Sequence, residues 1–409
     1  MSWPAAEWLA VCLLPAGGLS WLPDRLSLRA GKGGGGSPVR TPQLATRFVR
    51  VLAVPLLVAG VVAGVAPVTA GARPRPVGPA ASFTVSGSLG GVAATSASNA
   101  WAVGTTGSNT AAKTMIVRWN GTAWTRVPTP TPAGGAYLSG VTATSATSAW
   151  AVGATNTTAQ TVTLRWNGRA WTRVPSPSPP GHPQLVAVAA TSASNAWAVG
   201  GTIADQTLTE HWNGSTWTRA PSPSAGGAEL ADVTATSPSN VWAVGGTGQG
   251  NFGKTLILHW NGTAWTRVPS PSPLEDSSLS GLAAISASSA WAVGFATSGT
   301  SYQTLIVRWN GSRWTRVPSP SPAGSVLKAV TATSAQNAWA VGSTGTGKTL
   351  ILHWNGTAWT QVPSPSPAPS PALVGVTATS ATNAWAVGQT GTAGRIKTLI
   401  LHWNGKSWT

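Results

Sequence analysis

Residues 373–379, Leu-Val-Gly-Val-Thr-Ala-Thr, alternate around β-branched side chains and predict a strand. Ser380-Ala-Thr-Asn383 follows as a turn, with Asn placed to bond back to the main chain. Residues 384–387 predict a second strand, with Gly388 at its end. A loop rich in Gly, Thr and Ser leads into a third strand, residues 398–403, Thr-Leu-Ile-Leu-His-Trp. Asn404-Gly405 opens a tight hairpin turn, and Trp408-Thr409 begins a fourth strand. In the preceding copies the fourth strand runs on through Arg-Val-Pro into Pro-Ser-Pro-Ser-Pro. Proline cannot donate to a ladder, so this strand belongs on an edge, where it also blocks pairing with other chains.

The pattern recurs seven times. Trp-Ala-Val-Gly begins at Trp101, Trp150, Trp197, Trp242, Trp291, Trp339 and Trp385. Trp-Asn-Gly-x-x-Trp begins at Trp119, Trp166, Trp212, Trp260, Trp309, Trp354 and Trp403, and ends at Trp124, Trp171, Trp217, Trp265, Trp314, Trp359 and Trp408. Copies are 45 to 49 residues apart. A period of this size sets the architecture. Four antiparallel strands per copy, repeated seven times, predict an all-β, seven-bladed β-propeller over residues 82–409. The three Trp of each copy are expected to pack blade against blade rather than to stack sugars. Copy seven stops short in its fourth strand, and residues 82–86, Ser-Phe-Thr-Val-Ser, resemble the missing piece. They are expected to close the ring.

Composition agrees: 48 Gly, 32 Pro and 24 Trp, with few Glu, Lys and Gln, suit turns and strands. The formal charge is +17. Five copies place Arg in Trp-Thr-Arg, at Arg126, Arg173, Arg219, Arg267 and Arg316, and copy six has Gln361. This predicts a basic rim, either simply solvated or attractive to anionic polymers. The one cysteine, Cys12, precedes the repeat, so disulfides are not expected to hold the domain together.

Arg47 and Arg50 precede an apolar run, residues 51–70, and Ala70-Gly71-Ala72 supplies small residues at cleavage spacing. Residues 47–72 therefore predict an export signal, or an uncleaved membrane anchor that leaves the propeller outside. Residues 73–81 read as a linker. Residues 1–46 match neither signal nor repeat and are read as untranslated or disordered.

The paired Trp markers resemble the tandem-repeat β-propellers of exported bacterial proteins, loosely grouped as Kelch-like, galactose-oxidase-like or Asp-box-like. The resemblance implies the fold. The Asp-box spacing and the double Gly of Kelch blades are not matched, so no catalytic residue carries over.

Gly342–Thr349 and Gly248–Thr255 fit G-x-x-x-x-G-K-[ST], but strands rather than helices should follow, which removes the helix N-terminus that holds phosphates. His211, His259, His353 and His402 precede a marker Trp in four copies, spread around the ring and so unable to share a metal. The irregular loops after the second and fourth strands share one face. Tyr137, His182, Asp205, Glu229, Phe252, Glu275, Asp276 and Tyr302 fall there and form the candidate binding face. No catalytic residue, metal or cofactor is assigned. The expected role is a monomeric, exported binding scaffold for an extracellular glycan, an anionic cell-wall polymer or a protein, and not for nucleic acid. The alternatives are a lectin, or a carbohydrate-active enzyme that uses the loop-face acids.

Overall fold

The computed structural model describes residues 83–107, 111–203, 206–224, 226–248, 253–392 and 394–409. The N-terminal segments 1–46, 47–72 and 73–81, and Ser82, lie outside them, as do Asp205 and Phe252 of the expected binding face.

Seven antiparallel sheets span residues 88–127, 136–173, 184–219, 229–267, 276–316, 326–361 and 372–403, here blades 1 to 7. In each, strands pair in sequence order. First strands of successive blades pack side by side, and the first strand of blade 7 returns to that of blade 1. First strands therefore line the centre and fourth strands form the rim. No α-helix occurs among the described residues.

Each Trp-Ala-Val-Gly indole is a knob that enters a socket made by the next blade. Trp101 lies 4.9 Å from Trp166 and 5.2 Å, edge to face, from Trp171 of blade 2. The same triad recurs at every joint. The last is formed by Trp385 of blade 7 on Trp119 and Trp124 of blade 1, at 4.8 and 5.2 Å. Edge-to-face aromatic pairs add about 0.5–1.5 kcal/mol beyond their area. All seven knobs are among the largest fully buried side chains. Only Trp260, Trp309 and Trp403 of the 21 marker Trp are half-buried rather than buried. The indole N–H groups of the knob and of the edge-to-face ring are buried without a hydrogen-bond partner. Edge-to-face packing sets an indole edge on a π face, which is a weak acceptor.

The Gly of Trp-Ala-Val-Gly has a steric origin. The first strand of most blades carries a bulge just after its Leu, as between Leu230 and Asp232. A Cβ on Gly245 would sit 1.9 Å from the Glu229 carbonyl oxygen, and Gly104, Gly153, Gly200, Gly294, Gly342 and Gly388 meet the same obstacle at 1.9–2.0 Å. Only a residue without Cβ fits against the bulged strand.

Three local expectations change. The turn Asn does not bond back to the main chain. Asn195 donates through Nδ2 to Thr191 Oγ1 at 2.7 Å, and its Oδ1 pairs with His211 Nε2 at 2.7 Å. The backbone of that turn is held instead by Ser192 Oγ, which accepts the Ser194 N–H. In the hairpin between third and fourth strands, Gly alone takes positive φ, 97° at Gly121. Asn120 works through its side chain, accepting the N–H groups of Thr122 and Ala123. The fourth strand is also shorter than expected, ending at Arg173 in blade 2. Beyond it the prolines lack N–H groups and serine hydroxyls replace the ladder: Thr161 N–H donates to Ser178 Oγ, and Thr161 Oγ1 bonds Ser176 Oγ at 2.7 Å.

The ring closes where residues 82–86 are expected to close it. His402 and Thr409 exchange main-chain hydrogen bonds at 2.9 and 3.0 Å, starting the fourth strand of blade 7. Residues 83–87 then continue along the third strand. Thr398 N–H donates to the Val85 carbonyl, Gly87 N–H to that of Ile396, and Val85 N–H to Thr398 Oγ1. Phe83 and Val85 pack on the cluster that holds Trp119, Trp124 and Trp385. Here main chain from the start of the domain does what serine hydroxyls do in the other blades.

Candidate functional site

Antiparallel pairing places the loops after second and fourth strands at one end of every blade. Tyr137 opens the first strand of blade 2, and its phenol donates to Gln184 Oε1 of blade 3 at 2.8 Å. His182 is exposed in the loop before blade 3, in a left-handed conformation with φ 52°. Beside that loop Ile203 donates its N–H to the Gly181 carbonyl and leaves its side chain 43% exposed. Glu229 is exposed, and its Cγ would lie 3.2 Å from a Cβ added at Gly201, so it leans on blade 3.

Glu275 is exposed, and its carbonyl, with that of Leu274, accepts from Lys254 Nζ at 3.2 and 3.3 Å. Asp276 is half-buried and Oδ1 accepts the Gly253 N–H at 3.1 Å. Burial pushes its carboxyl up, while that N–H and the Lys254 charge pull it back. Tyr302 is 40% exposed and pairs with Phe295 at 5.4 Å. The structure thus brings Tyr137 to Gln184, Glu229 to Gly201 and Asp276 to Gly253, each across a joint between neighbouring blades. These contacts make an arc over blades 2–5. Among the described residues no His, Cys, Asp and Glu cluster suits a metal ion.

The central channel has a cavity of about 380 Å³, walled by first strands. The position two after the first-strand Leu is Gly91, Gly140, Ala187, Gly281, Ala329 or Gly375 in six blades, and Asp232 in blade 4. There neighbouring strands nearly touch: a Cβ on Gly281 would be 2.6 Å from Ala329 Cα. Asp232 reaches across the joint instead. Its Oδ2 accepts the Leu282 N–H of blade 5 at 2.7 Å and Oδ1 its neighbour Val233 N–H at 2.8 Å. Burial pushes this carboxyl up to about 7 despite both donors. Lys328 also borders the channel.

A second acid lies inside a joint. Glu210 is 0% exposed, and neither carboxylate oxygen has a partner. Other copies place Val117, Leu164, Leu258, Val307, Leu352 or Leu401 there. Burial pushes Glu210 up to about 8, and the charge of Arg219 opposes this only in part. Neither Glu210 nor Asp232 stands out from a motif in one copy. Laying the seven copies over one another exposes both, as a lone acid in a column of apolar or small residues.

The four marker His are structural. His402 stacks on the Trp385 ring at 4.0 Å and its Nε2 pairs with Asn383 Oδ1 at 2.8 Å. Where the copy has Arg, the guanidinium takes the same place, as Arg118 does 4.9 Å over Trp101. Where the turn carries Asn, these bundles use its side-chain polar groups, as Arg118 does with Asn99 Oδ1. The Gly-Lys-Thr segments lead straight into third strands, Lys254–Trp260 and Thr349–Trp354, as expected.

No protein-family model and no curated protein matches the chain. Its fold is similar to those of several solved structures. A YCF48 bound to a D1 peptide aligns over 78% of this chain and 95% of its own, at TM-score 0.51 and 13% identity. A GH74 xyloglucanase from Xanthomonas campestris aligns over 80% of this chain and 55% of its own, at TM-score 0.51 and 14% identity. The fucose-specific lectin from Aleuria aurantia covers 66% of this chain and 93% of its own, at TM-score 0.46 and 15% identity. At such identities the likeness is one of fold alone: the chain is a tandem-repeat β-propeller.

Proposed function

We propose that the chain is an exported, non-catalytic propeller that serves as a binding scaffold at or outside the cell surface, with an extracellular glycan, anionic polymer or protein as partner. One observation carries this reading: the recurrent chemistry of the repeat is spent on the ring. Marker Trp fill the joints, Asn and His or Arg brace the knobs, and Ser and Thr replace the outer ladder. What is left over is the loop face over blades 2–5, which varies between copies, and the exposed Arg of the rim, where a partner can be selected without disturbing the scaffold. The buried knobs do not support a lectin that stacks sugars on them. The two similar folds at TM-score 0.51 belong to a YCF48 bound to a D1 peptide and to a xyloglucanase, so the fold by itself does not choose a partner.

The test is an array of glycans, cell-wall polymers and peptides probed with the purified full chain at low and at physiological salt. Selective capture supports the reading, and no capture of any class overturns it. A second reading, a carbohydrate-active enzyme, is favoured by the raised carboxyl of Asp276 on the loop face. Release of reducing ends from a captured glycan, lost in Asp276→Asn, would establish it.

A further inference from the structure

The third residue of the outer strand is an exposed Arg in five consecutive blades: Arg126, Arg173, Arg219, Arg267 and Arg316. Side chains alternate along a strand, so each Arg projects to the same side as the socket Trp two residues before it, toward the preceding blade. At the joint of blades 3 and 4 this side is a groove of about 350 Å³. Arg267 and Leu256 line it from blade 4, and Pro223 and Ser224 from blade 3. Ser224 Oγ accepts the Thr207 N–H, which leaves its own proton to donate. The groove therefore offers a guanidinium, a hydroxyl donor and a half-buried proline ring above the buried Leu256. The repeat carries the Pro-Ser pair to neighbouring joints, as Pro177-Ser178 before Arg219 and Pro271-Ser272 before Arg316, although there the hydroxyls also bond Thr161 and Thr255 Oγ1 at 3.0 and 2.8 Å.

We propose that these rim grooves bind a linear polysaccharide with carboxylates along its length, a polyuronate, whose acid sugars engage successive blades at intervals of several residues. The proposal rests on the scaffold reading and names its ligand and its site.

A guanidinium pairs bidentately with a planar carboxylate, and the C–H face of a sugar ring can pack on the half-buried Pro223. Among the described residues, Arg126, Arg267 and Arg316 make no hydrogen bond or ion pair, so their donors are free for a ligand. Arg173 is held by Gln160 Oε1 at 3.1 Å, and Arg219 faces Glu210 across the ladder. Residues 83–409 hold seventeen Lys and Arg against six Asp and Glu, so the field favours a polyanion throughout. A single-stranded nucleic acid would want exposed aromatic platforms, and the one large exposed aromatic among the described residues, Tyr302, is on the loop face. A flat membrane would meet the rim of a ring at only one or two blades. A flexible polymer can follow the arc, and weak contacts at several grooves then multiply.

The experiment measures binding of the full chain to polygalacturonate, neutral galactan and poly-L-glutamate, at low salt and at about 0.15 M. Polygalacturonate should bind at both salts, galactan should not bind, and poly-L-glutamate should be about tenfold weaker at the higher salt, since it offers charge without a ring face. Replacing the three free arginines together, Arg126→Gln, Arg267→Gln and Arg316→Gln, should weaken polygalacturonate at least about tenfold, with the near-ultraviolet dichroism of the Trp ring unchanged. Gln361→Arg should lengthen the arc and tighten binding, which tests the idea without removing anything. Equal binding of poly-L-glutamate, or unchanged affinity in both variants, overturns the proposal. Should the array capture a different class through the loop face, the scaffold reading stands and this site falls.

Discussion

Glu210→Leu should stabilise the protein, and by an amount that depends on pH in a stated direction. An unfolded Glu titrates near 4.5, while in the folded joint Glu210 holds its proton to about 8. A raised folded pKa favours the native state fully below pH 4.5, and that advantage is lost as pH rises through 8. Each unit is about 1.4 kcal/mol, so by pH 7, two and a half units above 4.5, the native state has lost about 3 kcal/mol relative to acid. Leu occupies the same place in four other blades and does not titrate. For a domain of roughly 330 residues the unfolding entropy is about 0.7 kcal/mol/K, so about 3 kcal/mol is about 4–5 °C in Tm. The assay is thermal melting of both proteins in steps from pH 4.5 to 9. The Tm gain of the variant should grow by about 2 °C per pH unit up to about 8 and then level off. A constant offset would show only better packing. A gain that grows toward acid would refute the assignment of a neutral, buried carboxyl.

Three further outcomes follow from the ring. Gly245→Ala drives a Cβ into the Glu229 carbonyl and should cost about 3 kcal/mol in denaturant unfolding, whereas Gly226→Ala, with open space around it and no positive φ, should cost far less. Thr398→Val removes the side-chain bonds to residues 83–85 and should cost about 1–2 kcal/mol, and deleting residues 73–87 should lower Tm much further; an unchanged melt in the deletion would show that closure does not depend on that segment. Burial holds His211, His259, His353 and His402 below the usual histidine range, so protonation favours the unfolded chain and their contribution should be lost as pH falls below about 6.5. Melts in the Glu210→Leu background read this without the opposing carboxyl.

What repeats in the sequence proved legible. Seven copies of two Trp markers specify blade number, strand order and the use of Trp in the joints. The likeness of Phe83–Ser86 to the missing outer strand locates the closure. Local chemistry was harder, because partners of one side chain lie on another strand. The turn Asn reads as a main-chain cap until His211 is seen beside it. The Pro-Ser runs read as strand until their hydroxyls are seen on Thr161. Glu210 and Asp232 carry no signal within a single copy, because their meaning is a departure from six other copies. The loop-face residues share one face by position, but the structure sets Tyr137, Glu229 and Asp276 each against a neighbouring blade rather than against one another.

Knob and socket belong to consecutive copies, so each joint is a heterologous, head-to-tail contact that repeats until it meets itself. Blade 7 hands its knob Trp385 to blade 1 as blade 1 hands Trp101 to blade 2. In the Trp packing of the folded ring no blade comes first. The meeting of Thr409 and Phe83 in blade 7 is thus one placement among seven. A circular permutant of the ring opened within any Pro-Ser linker, with Thr409 joined to Phe83, keeps every Trp triad. It differs only in which blade is completed by two separate pieces of chain, and hence in which joint zips last.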